Sequence, residues 1–280
     1  MPGPQGREEQ KEVNMAERLI VLLSDFGHKD PCVGQMKSVI LQQRPEARII
    51  DLCHELPRHD VAAAAFTLYR CFKDFPIYSV FMAVVDPGVG GKRRPILVIT
   101  EDHFFLGPDN GIFSYIYQTE TVRKVLHITS SHYFRQPVSN TFHGRDVFAP
   151  VAAWLAEGIE VEKFGDPIED YVKLPVPAEK LEQGRIRGAI CGADHFGNLI
   201  TNVRFSTIKE LAGQTKASTF SVSVAGKDVR LVGGGYEQKL PVFAILNSSN
   251  LIEIACPSAP ATDFMGIRDF PCDVEIVPAK

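Results

Sequence analysis

Val84-Val85-Asp86-Pro87-Gly88-Val89-Gly90-Gly91-Lys92-Arg93-Arg94 decides how this chain is read. An apolar run over residues 78–85 stops at a carboxylate, and a glycine-rich turn then brings back an arginine. A strand that stops in this way puts Asp86 at the carboxyl edge of a sheet, where open α/β sheets bind their ligands. The glycines let a ligand approach the backbone. Gly88-Val89-Gly90 also begins a dinucleotide-binding fingerprint, but its third glycine would fall at Arg93, and prolines and β-formers follow where a helix should open. The dinucleotide reading fails.

Outward from this stretch, residues 18–158 alternate strand and helix. Strands are expected at 19–23, 48–52, 78–85, 96–100 and 103–106. Val33, Met36, Val39 and Ile40 are spaced for a helix over 33–43. Asp60 is placed to cap a second helix running to Lys73, and 145–157 carries the apolar face Val147, Phe148, Val151, Trp154, Leu155. Gly107-Pro108-Asp109-Asn110-Gly111 reads as a turn. Alternation of this kind predicts a mostly parallel sheet sandwiched by helices. Pro167, Pro175 and Pro177 mark a linker, after which short β-like runs at 185–191, 199–203, 219–224, 242–246, 251–255 and 273–277, with one helix over 206–212, suggest a smaller β-barrel-like domain. The expected organisation is a disordered leader over 1–16, an α/β domain over 17–164, a linker over 165–184 and a β domain over 185–280. The leader is polar, without the hydrophobic segment of a secretory signal; it reads equally as an appended tag or as a segment ahead of an alternative start at Met15.

A net charge of −4 and the lack of a Lys/Arg run argue against nucleic acid or an anionic membrane as partner. No apolar segment approaches the length of a membrane span. Six scattered cysteines without a Cys-x-x-Cys pair are expected to be reduced thiols of a cytoplasmic protein.

Four polar clusters fall at strand ends or turns: Asp25-Phe26-Gly27 with Asp30; Asp86 with Arg93; Asn140 through Asp146; and Asp194-His195-Phe196-Gly197-Asn198. Each has a plainer explanation. Asp25 can cap a turn, Arg93 can be a solvated charge, residues 143–146 can open a helix, and 194–198 can be a hairpin turn. Taken together at element ends, they point to one shared site.

In chain order, Ser24-Asp25-Phe26-Gly27, the 84–90 stretch with Arg93, Phe142-His143-Gly144-Arg145-Asp146, residues 194–202, and Asn247-Ser248-Ser249 followed by 251–255 resemble the S-adenosyl-L-methionine (SAM) hydroxide adenosyltransferases. These adenosine-forming SAM hydrolases are homologous to the fluorinase and chlorinase. The resemblance spans residues 19–261. It implies attack of activated water or hydroxide on C5′ of SAM, giving adenosine and L-methionine, with Asp86, Arg93 and His143 activating the water. It implies that Asp25 holds the ribose hydroxyls and that Asp30 and Asp194 lie near the methionine amino group. Phe196 and Asn198 would surround the adenosine, Phe142 and Gly144 would also line the substrate site, Ser248 and Ser249 would meet the methionine carboxylate, and Ser258 would lie near adenine. It further implies a homotrimer with sites at subunit interfaces and no metal or other cofactor. Asp86 stands where the fluorinase has tyrosine, and Gly144 where it has a fluoride-binding serine. A carboxylate there repels a halide, so hydrolysis is expected. Two alternatives remain at this level: a metal-dependent hydrolase using His54-Glu55 and His59-Asp60, and a non-catalytic SAM- or adenosine-binding protein.

Overall fold

The structure is a computed structural model and describes residues 18–279; the expected leader over 1–16 lies outside the described residues. The chain divides into two compact units, the first ending at Pro175 and the second starting at Val176.

In the first unit the elements follow as β1 (Ile20–Ser24), α1 (Cys32–Gln43), β2 (Ile49–Cys53), α2 (Val61–Tyr69), β3 (Val80–Val84), β4 (Pro95–Thr100), β5 (Phe104–Pro108), α3 (Ser114–Thr119), β6 (Val122–Ile128), α4 (Ala149–Glu157) and β7 (Gly165–Pro167). The strands form one sheet in the order β2-β1-β3-β5-β4-β6-β7. The pairings β1–β2, β1–β3 and β3–β5 are parallel, while β4 and β7 run against their neighbours. Buried apolar side chains alternate between two cores. Ile20 and Leu22 join α1 and α4 on one face. Leu19, Val21 and Leu23 join α2 and α3 on the other. Strands covered on both faces need near-continuous apolar runs, which is how β1 and β3 read.

Several expected boundaries move. The second helix stops at Tyr69, and a short 3₁₀ turn, Phe72–Asp74, replaces its predicted end. Asp60 does cap it, accepting from the Ala63 amide at 2.8 Å. The turn expected at 107–111 begins later, because β5 runs through Pro108. Gly107 is needed within that strand, since a Cβ there would lie 2.3 Å from the Ala83 carbonyl oxygen of the neighbouring strand.

The second unit holds β8 (Lys180–Glu182), β9 (Arg185–Ala193), β10 (Leu199–Arg204), α5 (Phe205–Thr215), β11 (Phe220–Val224), β12 (Lys227–Leu231), β13 (Phe243–Leu246), β14 (Leu251–Ala255), α6 (Ala261–Met265) and β15 (Cys272–Pro278). Its strands run β10-β14-β13-β12-β11-β15-β9-β8, and pairing of β9 with β10 closes a barrel to which β8 is appended. Ile186, Ile190, Val222, Ile252, Ile254 and Ile276 fill the interior. Residues 165–184, expected to be linker, thus carry β7 at one end and β8 at the other. No helix among the described residues is long and apolar enough to cross a membrane.

His103 gives the first unit a pH-dependent weakness. It is 5% exposed and boxed by Phe72, Phe81 and Phe105 with ring centroids at 5.9, 5.4 and 6.2 Å. Burial pushes its pKa down to about 4. The unfolded chain, with an ordinary imidazole, binds a proton that the folded chain refuses. Stability is therefore full above about pH 6.5 and falls as the pH drops toward 4. Between pH 7 and pH 5 the wild type should lose on the order of 1–2 kcal/mol more than His103→Leu, measured by thermal or urea unfolding. Equal losses in the two proteins would assign the acid sensitivity to other groups.

Candidate active site

The β1–β3 register aligns Ser24 with Val84. The next residues along, Asp25 and then Val85-Asp86, therefore emerge side by side at the carboxyl edge. This is also the topological switch point, because the chain passes from β1 to β2 on one side and then to β3 on the other. The turn after Asp86 is held down at Gly90, whose φ is +74° and whose Cβ position would lie 2.1 Å from the Asn140 carbonyl oxygen. Only glycine permits that approach, and through it the 86–93 turn meets the loop that carries His143.

Arg93 joins the pieces. Its Nε donates to Asp86 Oδ1 at 3.0 Å, and one Nη2 proton goes to Asp86 Oδ2. Nη2 also lies 2.8 Å from His143 Nδ1. The arginine and aspartate side chains are 9% and 5% exposed. Guanidinium only donates, so His143 Nδ1 must accept, and the neutral ring carries its proton on Nε2. Burial first, and Arg93 second, hold the His143 pKa below the ordinary imidazole value. Arg93 Nη1 is buried and has no hydrogen-bond partner among the described residues.

The His143 loop has its own anchor. Asp146 is fully buried and accepts from Arg145 Nε at 2.7 Å, Arg135 Nη1 at 3.0 Å and the Ser139 amide at 2.9 Å. Burial works to raise its pKa, but these bonds outweigh it and hold the carboxyl below its usual range. Arg145 and Asp146 thus clamp the loop. The expected helix begins here as a π-helical turn, Gly144–Phe148, before α4. Such turns often occur at functional sites. Gly144 is buried where a Cβ would meet Met36 Sδ at 3.0 Å and the Phe142 ring at 3.1 Å, and Phe142 stands edge-on to Phe26 at 5.8 Å. A larger residue at 144 would require Met36 or the Phe142 ring to shift by a few tenths of an ångström.

Asp25 is partly exposed, its Oδ2 accepting from the His59 amide at 2.8 Å, while Asp30 lies exposed just before α1. Three of the four residues weighed above as metal ligands are committed elsewhere. His54 has both ring nitrogens hydrogen-bonded, Glu55 accepts from the His28 amide at 2.9 Å, and Asp60 caps α2. No group of three or more His, Cys, Asp or Glu side chains is arranged to hold a metal among the described residues.

In the second unit the 194–198 turn joins β9 to β10. Asp194 Oδ1 accepts from the amides of Phe196 and Asn198 at 2.9 and 2.8 Å, and Oδ2 from the Asn198 side chain at 2.9 Å. This is the hairpin reading in full, and it leaves Phe196 75% exposed at the tip and Asn198 buried. Ser248 and Ser249 sit in the β13–β14 turn, where Asn247 Oδ1 accepts from the amides of Ser249 and Leu251 at 3.0 Å each. Ser258 is exposed after β14. Sequence reasoning missed Glu253, 3% exposed and accepting from the Tyr236 hydroxyl at 2.8 Å. A carboxylate inside an apolar strand pattern was the available signal.

Comparison with known proteins agrees over both units. The model of the SAM hydroxide adenosyltransferase N-terminal domain matches residues 20–165, and that of the C-terminal domain matches residues 188–270. The (R)-S-adenosyl-L-methionine hydrolase of Thermus thermophilus is 33% identical over 90% of this chain and 97% of its own. A fluorinase of Actinopolyspora mzabensis is 23% identical over 66% of this chain and 71% of its own. The crystal structure of a conserved protein from Thermotoga maritima superposes with a TM-score of 0.85 at 32% identity, covering 92% of this chain and all of that one.

The contact at Gly90 sets a test. Gly90→Ala combines a backbone collision with an unfavourable positive φ. It should destabilise by about 2 kcal/mol or more. Gly34→Ala in α1, where a Cβ meets nothing within 4 Å, should stabilise by about 0.5–1 kcal/mol. Urea unfolding of both variants measures this, and equal effects would refute the close-approach argument.

Proposed function

The chain belongs to the SAM hydroxide adenosyltransferase family, and from that membership we propose that it hydrolyses S-adenosyl-L-methionine to adenosine and L-methionine. The observation that carries the reading is the hydrogen-bonded Asp86–Arg93–His143 set at the sheet's carboxyl edge, with the Asp86 and Arg93 side chains nearly buried. An oxygen nucleophile attacks C5′ of the ribose, the C5′–S bond breaks, and its electron pair stays on sulfur as the neutral thioether of methionine. The sulfonium leaves without protonation. Catalysis is then largely a matter of holding water in line, a contribution of about 7–11 kcal/mol in well-oriented cases.

The hydrogen bonds divide the labour. Arg93 Nη1 donates to the water oxygen. As the C–O bond forms, that oxygen becomes acidic and passes one proton to Asp86, which keeps lone pairs beyond the two used by Arg93. His143 is a poor base here, because protonating Nδ1 would set its N–H against the Arg93 donor. Its role is to fix Arg93 and donate from Nε2. One water proton stays on the adenosine 5′-hydroxyl and the other is released. Asp86 also disfavours a halide nucleophile.

Asp25 is assigned to the ribose hydroxyls, and Asp30 and Asp194 to the methionine ammonium. Phe196, Asn198 and Ser258 are assigned to the adenosine, Phe142 and Gly144 to the substrate site, and Ser248 and Ser249 to the methionine carboxylate. The reading includes an α/β domain over 17–164 and a β domain over 185–280, a cytoplasmic homotrimer with sites at subunit interfaces, and no required metal. The six cysteines, none of them in a disulfide, support the location.

Chelator-treated protein incubated with SAM should give adenosine and methionine in equal amounts by chromatography. Asp86→Ala and Arg93→Ala should each lower kcat by about 10²–10⁴-fold. Wild-type activity should be flat above about pH 6.5 and fall on the acid side as His143 gains a proton. His143→Gln keeps an amide donor that does not titrate, so it should retain measurable turnover and lose that acid limb. A dead His143→Gln would make His143 the base. Absence of both products would overturn the function.

A further inference from the structure

Beside the reactive set, four residues form a hydrogen-bonded row that the mechanism above does not use. His54 is 1% exposed. Its Nε2 lies 3.2 Å from Asp51 Oδ1 and its Nδ1 2.7 Å from Ser24 Oγ, while Asp51 Oδ2 accepts from Lys37 Nζ at 2.5 Å. A carboxylate facing a lysine accepts, so Nε2 of the neutral ring carries the hydrogen and Nδ1 accepts from the Ser24 hydroxyl. The row has one polarity throughout, from Ser24 to His54 to Asp51. It has the composition of a Ser-His-Asp triad, but Ser24 is fully buried and reaches no substrate. A buried imidazole is costly unless both nitrogens are satisfied, and here that satisfaction ties two chain segments together.

The tie ends at Asp25. Ser24 directly precedes it, and Ser24 Oγ also lies 3.4 Å from the Phe26 amide. The Gly27 amide donates to the His54 carbonyl oxygen at 2.7 Å. Five residues further on, His59 is held at φ +63° while its amide donates to Asp25 Oδ2 at 2.8 Å. A non-glycine residue seldom adopts that region, and the bond to Asp25 sets its amide where it is. The carboxylate is thus gripped from one side through Oδ2, and Oδ1 is left for a ligand.

We propose that His54 is a positioning residue, which through Ser24 and the 54–59 segment fixes the direction in which Asp25 presents its carboxylate to the ribose hydroxyls. This rests on the assignment of Asp25 under the proposed function. Two hydroxyls on neighbouring carbons need a carboxylate in one orientation, and a side chain free to rotate loses one of the two bonds.

Calorimetric titration with adenosine tests the proposal in a double-mutant cycle. Asp25→Ala should weaken binding about tenfold or more, and Ser24→Ala and Asp51→Asn each about three- to tenfold. At saturating SAM, kcat of Ser24→Ala and Asp51→Asn should stay within about threefold of wild type, with the loss in KM. In the Asp25→Ala background, Ser24→Ala should cost nothing further. Asp51 is exposed, so Asp51→Asn keeps the test open if Ser24→Ala fails to fold. Unchanged adenosine binding in both relay variants, or a full additive loss in the Asp25→Ala background, overturns the positioning role. Unchanged binding in Asp25→Ala alone overturns the ribose assignment, and the proposal with it.

Discussion

A guanidinium buried between a carboxylate and an imidazole is the interaction on which the proposed chemistry depends. Arg93 gives two protons to Asp86 and one to His143, and Nη1 remains. Because arginine cannot accept, this contact sets the histidine tautomer and removes its free lone pair. The same contact makes the imidazolium unfavourable. Deleting either charged partner would leave the other buried and uncompensated, which is the costly way to break an ion pair. The proposed function and local stability are therefore linked at this residue.

The surrounding fold is arranged to make that contact possible. A Ser24–Val84 register puts two carboxylates on adjacent strand ends at the switch point of the sheet. Gly90 lets the arginine turn touch the Asn140 backbone, and Asp146, with three groups bound to it, keeps the histidine loop from moving away. Asp86 and Arg93 are enclosed, whereas Phe196 in the barrel unit stands on a hairpin tip with most of its ring in solvent.

Much of this was legible in the residues. An apolar run stopped by Asp86 named the sheet edge correctly, and alternating strands and helices followed by short β runs named both architectures. Other elements escaped. β6 carries Arg123, Lys124 and His127 and so lacks a clean apolar run, while β12 alternates lysine, aspartate and arginine with its two apolar residues. α3 is six residues long, too short to show a helical period. His54-Glu55 and His59-Asp60 read as metal ligands because sequence shows residue types and not their partners; three-dimensional pairing turns them into the seat of Asp25. Asp146 was expected as a helix-start charge, and its role as an anchor depends on Arg135 and Ser139, which no local pattern connects to it.

Attack of water on C5′ of the ribose can be followed in a single turnover in water enriched in oxygen-18, with both products analysed by mass spectrometry. Adenosine should carry one heavy oxygen, on the 5′ carbon, and methionine none. Unlabelled adenosine, or label in methionine, would contradict that attack.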